Sequence, residues 1–271
     1  LPRGLDNSAG GQVAVSGENW GPLQGRGNMV HFSFGQGSAS LLLVDEVEGQ
    51  LQGGVLPLQT EFLSGAHRGR FHPGDGRLYV SGMAGWGNYN PDDGCLQRVR
   101  FIPQSAGPLP VGFHVHENGV LIELSAPLPE TGGTSPRAFA QCWNYRYSGA
   151  YGSPELSPSH PGTPGHDVLE VAGVHSVAGG AAVFIEIPEL QPVNQLHLLL
   201  ELGGPRPSEL FCTVHRLDRP FGDFPGYRPQ LKTIAPHPIL ADVALALRSI
   251  PNPWLKRNSR ARKVTIAAGS N

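Results

Sequence analysis

The chain has 271 residues, enough for one large or two ordinary domains, and a formal net charge of −2 with only 15% charged residues. A field that weak recruits neither nucleic acid nor an anionic membrane surface. There are 37 glycines and 26 prolines, yet 39% of the residues are hydrophobic and recur in Val/Leu/Ile/Phe runs, which argues against disorder and for many short strands joined by Gly/Pro turns.

The chain opens at Leu1-Pro2-Arg3 as if in mid-protein and closes after a strand onset at 263–266, so both ends are expected either to be internal to something longer or to be the ragged ends of a processed chain. The longest apolar runs, 41–44 and 243–247, fall far below the roughly 20 residues that a transmembrane helix needs. Residues 5–12 form a polar, Gly-rich loop leading into a short strand at 13–15. The period-2 alternation that follows denies the loop the helix a phosphate cradle requires. Asp6 and Asn7 remain as polar groups able to line a ligand cavity, against the plainer reading of a strand-connecting turn.

A turn at 20–25 is followed by strands at 29–34, 41–44, 55–62, 68–71, 77–81 and 96–101. The clearest local signal is His72-Pro73-Gly74-Asp75-Gly76: Pro73 fixes its own φ and Asp75-Gly76 suits a tight turn, predicting a hairpin whose Leu78-Tyr79-Val80 is buried. His72 and Asp75 either touch a ligand at a propeller's central face or close their own turn, Asp75 through an Asx hydrogen bond and His72 by packing on Tyr79 or Trp86. A propeller blade uses about four strands and 40–50 residues, so residues 1–105 hold about two blades, too few to close a ring; a sandwich is the other arrangement of such strands.

The stretch 103–110 reads as a linker. Beyond it, strands at 111–115 and 120–124 flank Glu117-Asn118-Gly119, and further strands at 138–143, 168–174, 182–187, 196–202 and 211–214 complete an immunoglobulin- or fibronectin-like sandwich over 106–215. The insertion 146–167, with four prolines, reads as one long ordered loop packed by Tyr145, Tyr147 and Tyr151. Residues 216–271 are expected to hold an extended strap at 219–238, one short helix at 239–250 stopped by Pro251 and Pro253, and a basic tether at 258–262.

His114 and His116 stand two apart, so on a strand both side chains leave by one face. Two imidazoles there hold a zinc or copper ion if a third ligand arrives, with His166 and Asp167, or His160 and His215, as candidates to supply it. In the alternative both face solvent, or one bonds the neighbouring linker. Asn90-Pro91-Asp92-Asp93-Gly94 lacks the spacing of a calcium loop, and no Gly-x-Ser-x-Gly elbow supports a serine hydrolase. Trp20, Trp86, Trp143 and Trp254 are scattered and read as core in preference to a sugar-stacking platform. Cys95, Cys142 and Cys212 form no close pair and match neither a haem-attachment motif nor a zinc motif; spacing leaves open which pair, if any, is bridged.

Arg3-Gly4-Leu5-Asp6-Asn7-Ser8-Ala9-Gly10-Gly11-Gln12, Trp20-Gly21-Pro22-Leu23-Gln24-Gly25, Gly53-Gly54-Val55, the stretch 70–86 and Asp93-Gly94-Cys95-Leu96-Gln97-Arg98-Val99-Arg100 together resemble the last blades of large bacterial secreted proteins. Those proteins carry a propeller related to sorbosone and pyrroloquinoline-quinone-dependent glucose dehydrogenases. Trp143-Asn144-Tyr145-Arg146-Tyr147, Gly165-His166-Asp167 and Ile185-Glu186-Ile187-Pro188-Glu189-Leu190 resemble the β-sandwich that follows it, so the likeness spans about the first 215 residues. It implies an all-β chain: a partial β-propeller of about two blades, an immunoglobulin- or fibronectin-like β-sandwich, then the strap and short helix. It also implies a periplasmic or extracellular location and a scaffold role, completing a propeller and docking neighbouring redox domains or subunits. No cofactor is assigned within this chain; the resemblance implies pyrroloquinoline quinone, c-type haem or copper in the parent or in a partner cytochrome c or cupredoxin-like module, and 262–271 resembles the first strand of the cupredoxin-like one. The catalytic and quinone-binding residues of the dehydrogenases lie mostly on earlier blades, so none is carried over. The competing class is a stand-alone secreted carbohydrate-binding or accessory protein.

Overall fold

The computed structural model describes residue 2 and residues 4–85, 90–102, 107–129, 135–146 and 152–238. The expected helix at 239–250, the tether at 258–262, Trp86, Tyr147, Tyr151 and Trp254 lie outside them. The described chain is all-β, with short 3-10 turns at Glu18–Leu23 and Ala178–Gly180, and holds no helix long and apolar enough to cross a membrane.

The first strands run as an antiparallel meander: β1 (Ala9–Ala14), β2 (Met29–Ser33), β3 (Ser38–Val47) and β4 (Gln50–Pro57). A second, three-stranded meander follows in β5 (Gly65–Phe71), β6 (Leu78–Met83) and β7 (Gly94–Val99), with β5 packed against β1 and β2. Alternation dictates which face is inside: on β3, Leu41, Leu43 and Val47 are buried while Val44 and Glu46 are exposed. Each such buried Leu or Val contributes about 1.5–3 kcal/mol. β3 is longer than the expected strand at 41–44, and β4 lies earlier than the expected strand at 55–62, because they meet in a two-residue turn, Glu48-Gly49, with φ of 49° and 78° at a Val47–Gln50 pair. Both left-handed values are those of the turn that matches strand twist.

The rest of the fold is β8 (Pro110–His116), β9 (Gly119–Leu124), β10 (Arg137–Tyr145), β11 (Glu155–Leu156), β12 (Asp167–Leu169), β13 (Gly173–Val177), β14 (Ala182–Glu186), β15 (Val193–Glu201) and β16 (Ser208–Val214). One sheet has the order β8-β9-β14-β13, and β10-β15-β16 lie side by side in the other. Numbered from β8 as A, omitting the short β11 and β12, the two strand orders read A-B-E-D and C-F-G. The run expected as one strand at 168–174 is split: β12 pairs with β10, and β13 pairs with β14 in the opposite sheet. The boundary expected near residue 105 falls between β7 and β8, yet the large sheet crosses it. β16 pairs with β4, Phe211 opposite Val55 and Cys212 opposite Gly54, so β1–β4 form one nine-stranded sheet with β16, β15, β10, β11 and β12. Gly54 also lets the facing sheet come close, since a Cβ there would meet the Phe113 ring of β8 at 2.7 Å.

After β16 the chain is extended and lies across the β8–β9–β14 sheet as a strap. Asn118 grips it with both ends of its amide, donating to the carbonyl of Phe221 (2.8 Å) and accepting from that residue's N–H (2.8 Å). Phe221 packs tilted against Phe184 at 4.7 Å, and Phe224 stacks on Phe184 at 5.2 Å and on His175 at 4.1 Å. Further on, the Lys232 ammonium donates to the carbonyls of Glu117 and Leu190.

The three cysteines are free. Cys142 and Cys212 sit on opposite sides of Leu196, each paired with it from a neighbouring strand. Two inter-strand spacings, about 9–10 Å, exceed the roughly 7 Å that a disulfide spans. Burial pushes the Cys142 thiol up to about 12, which keeps it inert.

Candidate functional site

β8 turns Val111, Phe113 and Val115 into the core and presents His114 and His116 on its other face. The neighbouring backbone is tied down on both sides of His116. The Asp218 N–H donates to the Val115 carbonyl (2.9 Å), and the Glu117 N–H donates to the Asp218 carbonyl (2.8 Å). Asp218 is thereby held beside the two imidazoles. The His114 ring spans two carboxylates, with Nδ1 at 2.6 Å from Asp45 and Nε2 at 3.0 Å from Asp218. Asp45, on the inward face of β3, is itself fixed by Gln52 Nε2 (2.8 Å) and the Val115 N–H (3.2 Å). His116 donates from Nδ1 to the carbonyl of Arg219 (2.8 Å), while its buried Nε2 has no hydrogen-bond partner. The two rings are 4.7 Å apart and nearly perpendicular.

The charges follow from these contacts. The hydrogen bond to Asp45, aided by Asp218 and opposed by partial burial, raises His114 to about 9, so at neutral pH it is a cation between two anions. Burial acts to raise Asp45, but hydrogen bonds from His114 and Gln52 outweigh it and hold the carboxyl below its ordinary range. Asp218 is lowered chiefly by the same imidazole. His116 goes the other way: burial pushes its pKa down, so the ring is neutral and keeps a lone pair.

Among the described residues, His114, His116 and Asp218 form the group whose donor atoms, one from each, lie within 4.8 Å of one another. The histidine pair was legible from its spacing. Asp218 was not, because nothing in the sequence places the start of the strap beside β8. His166 and Asp167 belong to another neighbourhood. His166 stacks on Trp143 at 4.1 Å and bonds Glu155 (2.6 Å), continuing through Gln141 to His197 on the outer face of the large sheet. Asp167 accepts from Ser157 Oγ (2.5 Å) and from the Ser159 N–H (2.6 Å), bonds that hold its pKa down against burial. With His160 Nδ1 at 2.8 Å from Ser159 Oγ this gathers serines, a histidine and an aspartate, but Asp167 holds the Ser157 hydroxyl and makes no bond to the imidazole. It closes a loop and lacks the order of a nucleophilic triad.

Asp6 pairs with His31 (2.9 Å), and Asn7 uses its carbonyl to accept from the Gly35 N–H (2.8 Å), so both anchor the N-terminal loop on β2. At the hairpin, the Arg77 N–H donates to Asp75 Oδ1 (3.0 Å), the Tyr79 hydroxyl donates to Asp75 Oδ2 (2.8 Å), and His72 packs edge-on against Tyr79 at 5.9 Å. These two residues close their own turn, whose left-handed position is Gly76, with φ of 62°.

Comparison of the chain with protein-family models, with curated proteins and with solved structures returns no match.

Proposed function

We propose that this chain is the structural and partner-docking portion of a secreted sugar-dehydrogenase-like redox protein, supplying blades to a propeller and seating a neighbouring redox domain or subunit. The class of parent rests on the sequence resemblance alone. The docking role is carried by β7. Within the described chain it is paired only on its β6 side, and Leu96, opposite Ser81 on the outer face, is 74% exposed. An edge strand presents unpaired N–H and C=O groups, and β7 has none of the lysines or prolines that usually blunt such an edge. A further strand of a propeller satisfies those groups and covers Leu96. The carbohydrate-binding reading gains no support from Trp20 or Trp143, both of them buried.

Hydrogen–deuterium exchange tests this reading. The β7 amides should exchange quickly in the isolated chain and slowly in the product of the complete coding frame, and that product should absorb as haem, quinone or blue copper. Fast exchange at β7 in both preparations defeats the docking role, and a colourless full-length product defeats the redox class.

A further inference from the structure

We propose that His114, His116 and Asp218 bind a divalent transition metal of the zinc or copper(II) type, clasping the strap to the sandwich. The first argument is orientation. Metal-binding histidines commonly give their second ring N–H to a carboxylate or a backbone carbonyl, which fixes the tautomer and aims the other nitrogen. Both imidazoles have such a partner: His114 Nδ1 has Asp45 at 2.6 Å, and His116 Nδ1 has the Arg219 carbonyl at 2.8 Å. Asp45 is in turn held by Gln52 and the Val115 N–H, so the support has its own support. Each ring then offers Nε2 to an ion, His114 by giving up the proton it shares with Asp218 in the metal-free protein. The Nε2 of His116 is buried and unpartnered, a costly state for a polar atom unless something else takes the lone pair.

The second argument is distance. Ligands about 2.1 Å from a shared ion lie roughly 3.0–3.4 Å from one another in octahedral or tetrahedral arrangements. His114 Nε2 and Asp218 Oδ2 are 3.0 Å apart, and one donor from each of the three residues falls within 4.8 Å of the others. Small rotations close the set, because β8 and the Asp218 backbone are already locked by the two hydrogen bonds that flank His116.

Chemistry selects the ion. Two imidazoles and one carboxylate suit zinc, copper(II) or nickel, whereas calcium and magnesium require several more oxygens. Once the ion has displaced the proton of His114, two neutral rings, Asp218 and the adjacent Asp45 balance a dication. His114 and Asp218 keep 31% and 39% of their side chains exposed, so a fourth position is open to water or an external ligand. The site joins Asp218, where the strap begins, to β8, so a bound ion adds a tie to those already made by Asn118 and Phe224.

The chelator-treated chain should take up one equivalent of Zn²⁺, and Co²⁺ in its place should give visible d–d bands. D218N should weaken Zn²⁺ binding at least tenfold, and D45N, which removes the carboxylate behind His114 without touching a ligand, by about 10–100-fold in a chain whose circular dichroism is unchanged. H116Q should abolish binding with its circular dichroism unchanged; if that buried substitution unfolds the chain, D218N at the exposed ligand decides the matter. Less than a tenth of an equivalent of either metal, or undiminished affinity in a folded D218N, overturns the site.

Discussion

The proton on His114 is held by two carboxylates from distant parts of the chain, and its energetics can be read from pH. In the metal-free protein the imidazole keeps its proton to about pH 9 because the Asp45 hydrogen bond, with Asp218 behind it, outweighs partial burial. A histidine whose pKa is raised on folding stabilises fully below its unfolded value near 6.5 and loses that contribution as pH rises through its folded value. Asp45 and Asp218 are lowered, so their contribution is present above their ordinary value of 3.8 and is lost as pH falls below it. The contribution of this three-group network is therefore greatest between the ordinary carboxylate and imidazole values and falls on the order of 1–2 kcal/mol by pH 9, a figure discounted from full linkage because His114 is partly exposed. H114Q should flatten the alkaline limb in urea titrations at several pH values. Equal slopes for H114Q and the parent would mean the ion-pair network contributes nothing to stability.

Among elements, the strap is the one most dependent on its neighbours. It makes a single isolated bridge, Asp218 to His116, and otherwise holds on by side chains. The densest of these contacts is Phe224, which is buried against His175, Phe184 and Tyr227. Replacing it with alanine should cost about 3 kcal/mol or more, spent mainly on opening the strap. F224A should thus show fast proteolysis within 219–238 while the β10–β15–β16 amides stay protected; uniform loss of protection would place Phe224 in the global core instead. The Glu117–Asn118 turn shows how such attachment overrides local chemistry. Asn118-Gly119 suggests a turn with a left-handed Asn, yet Asn118 is not among the positive-φ residues, and its amide is committed to the strap. β9 instead begins at Gly119, where a Cβ would collide with the Ile185 carbonyl.

For the molecule as a whole, the decisive contact is β4 with β16. Because one sheet runs from β1 to β10, calorimetry should show a single unfolding transition for the described strands. Two transitions separating 1–105 from 106–215 would show that the β4–β16 pairing contributes little to cooperativity. Much of this architecture was legible in the residues. Alternation at period 2 gave an all-β chain, Pro73 and Gly76 gave the β5–β6 hairpin, and the prolines of 219–238 gave an extended strap, since each rests on neighbours a few residues apart. The His114–His116 pair was legible for the same reason. Sequence alone could not place Asp45, 69 residues before His114, or Asp218, 104 residues after it, nor show that Cys142 and Cys212 stand two strands apart. Those positions follow from which sheet edges meet, a choice governed by buried area and by small residues such as Gly54 that let the layers approach. Periodicity says which face of a strand is apolar, and only packing says what lies against it.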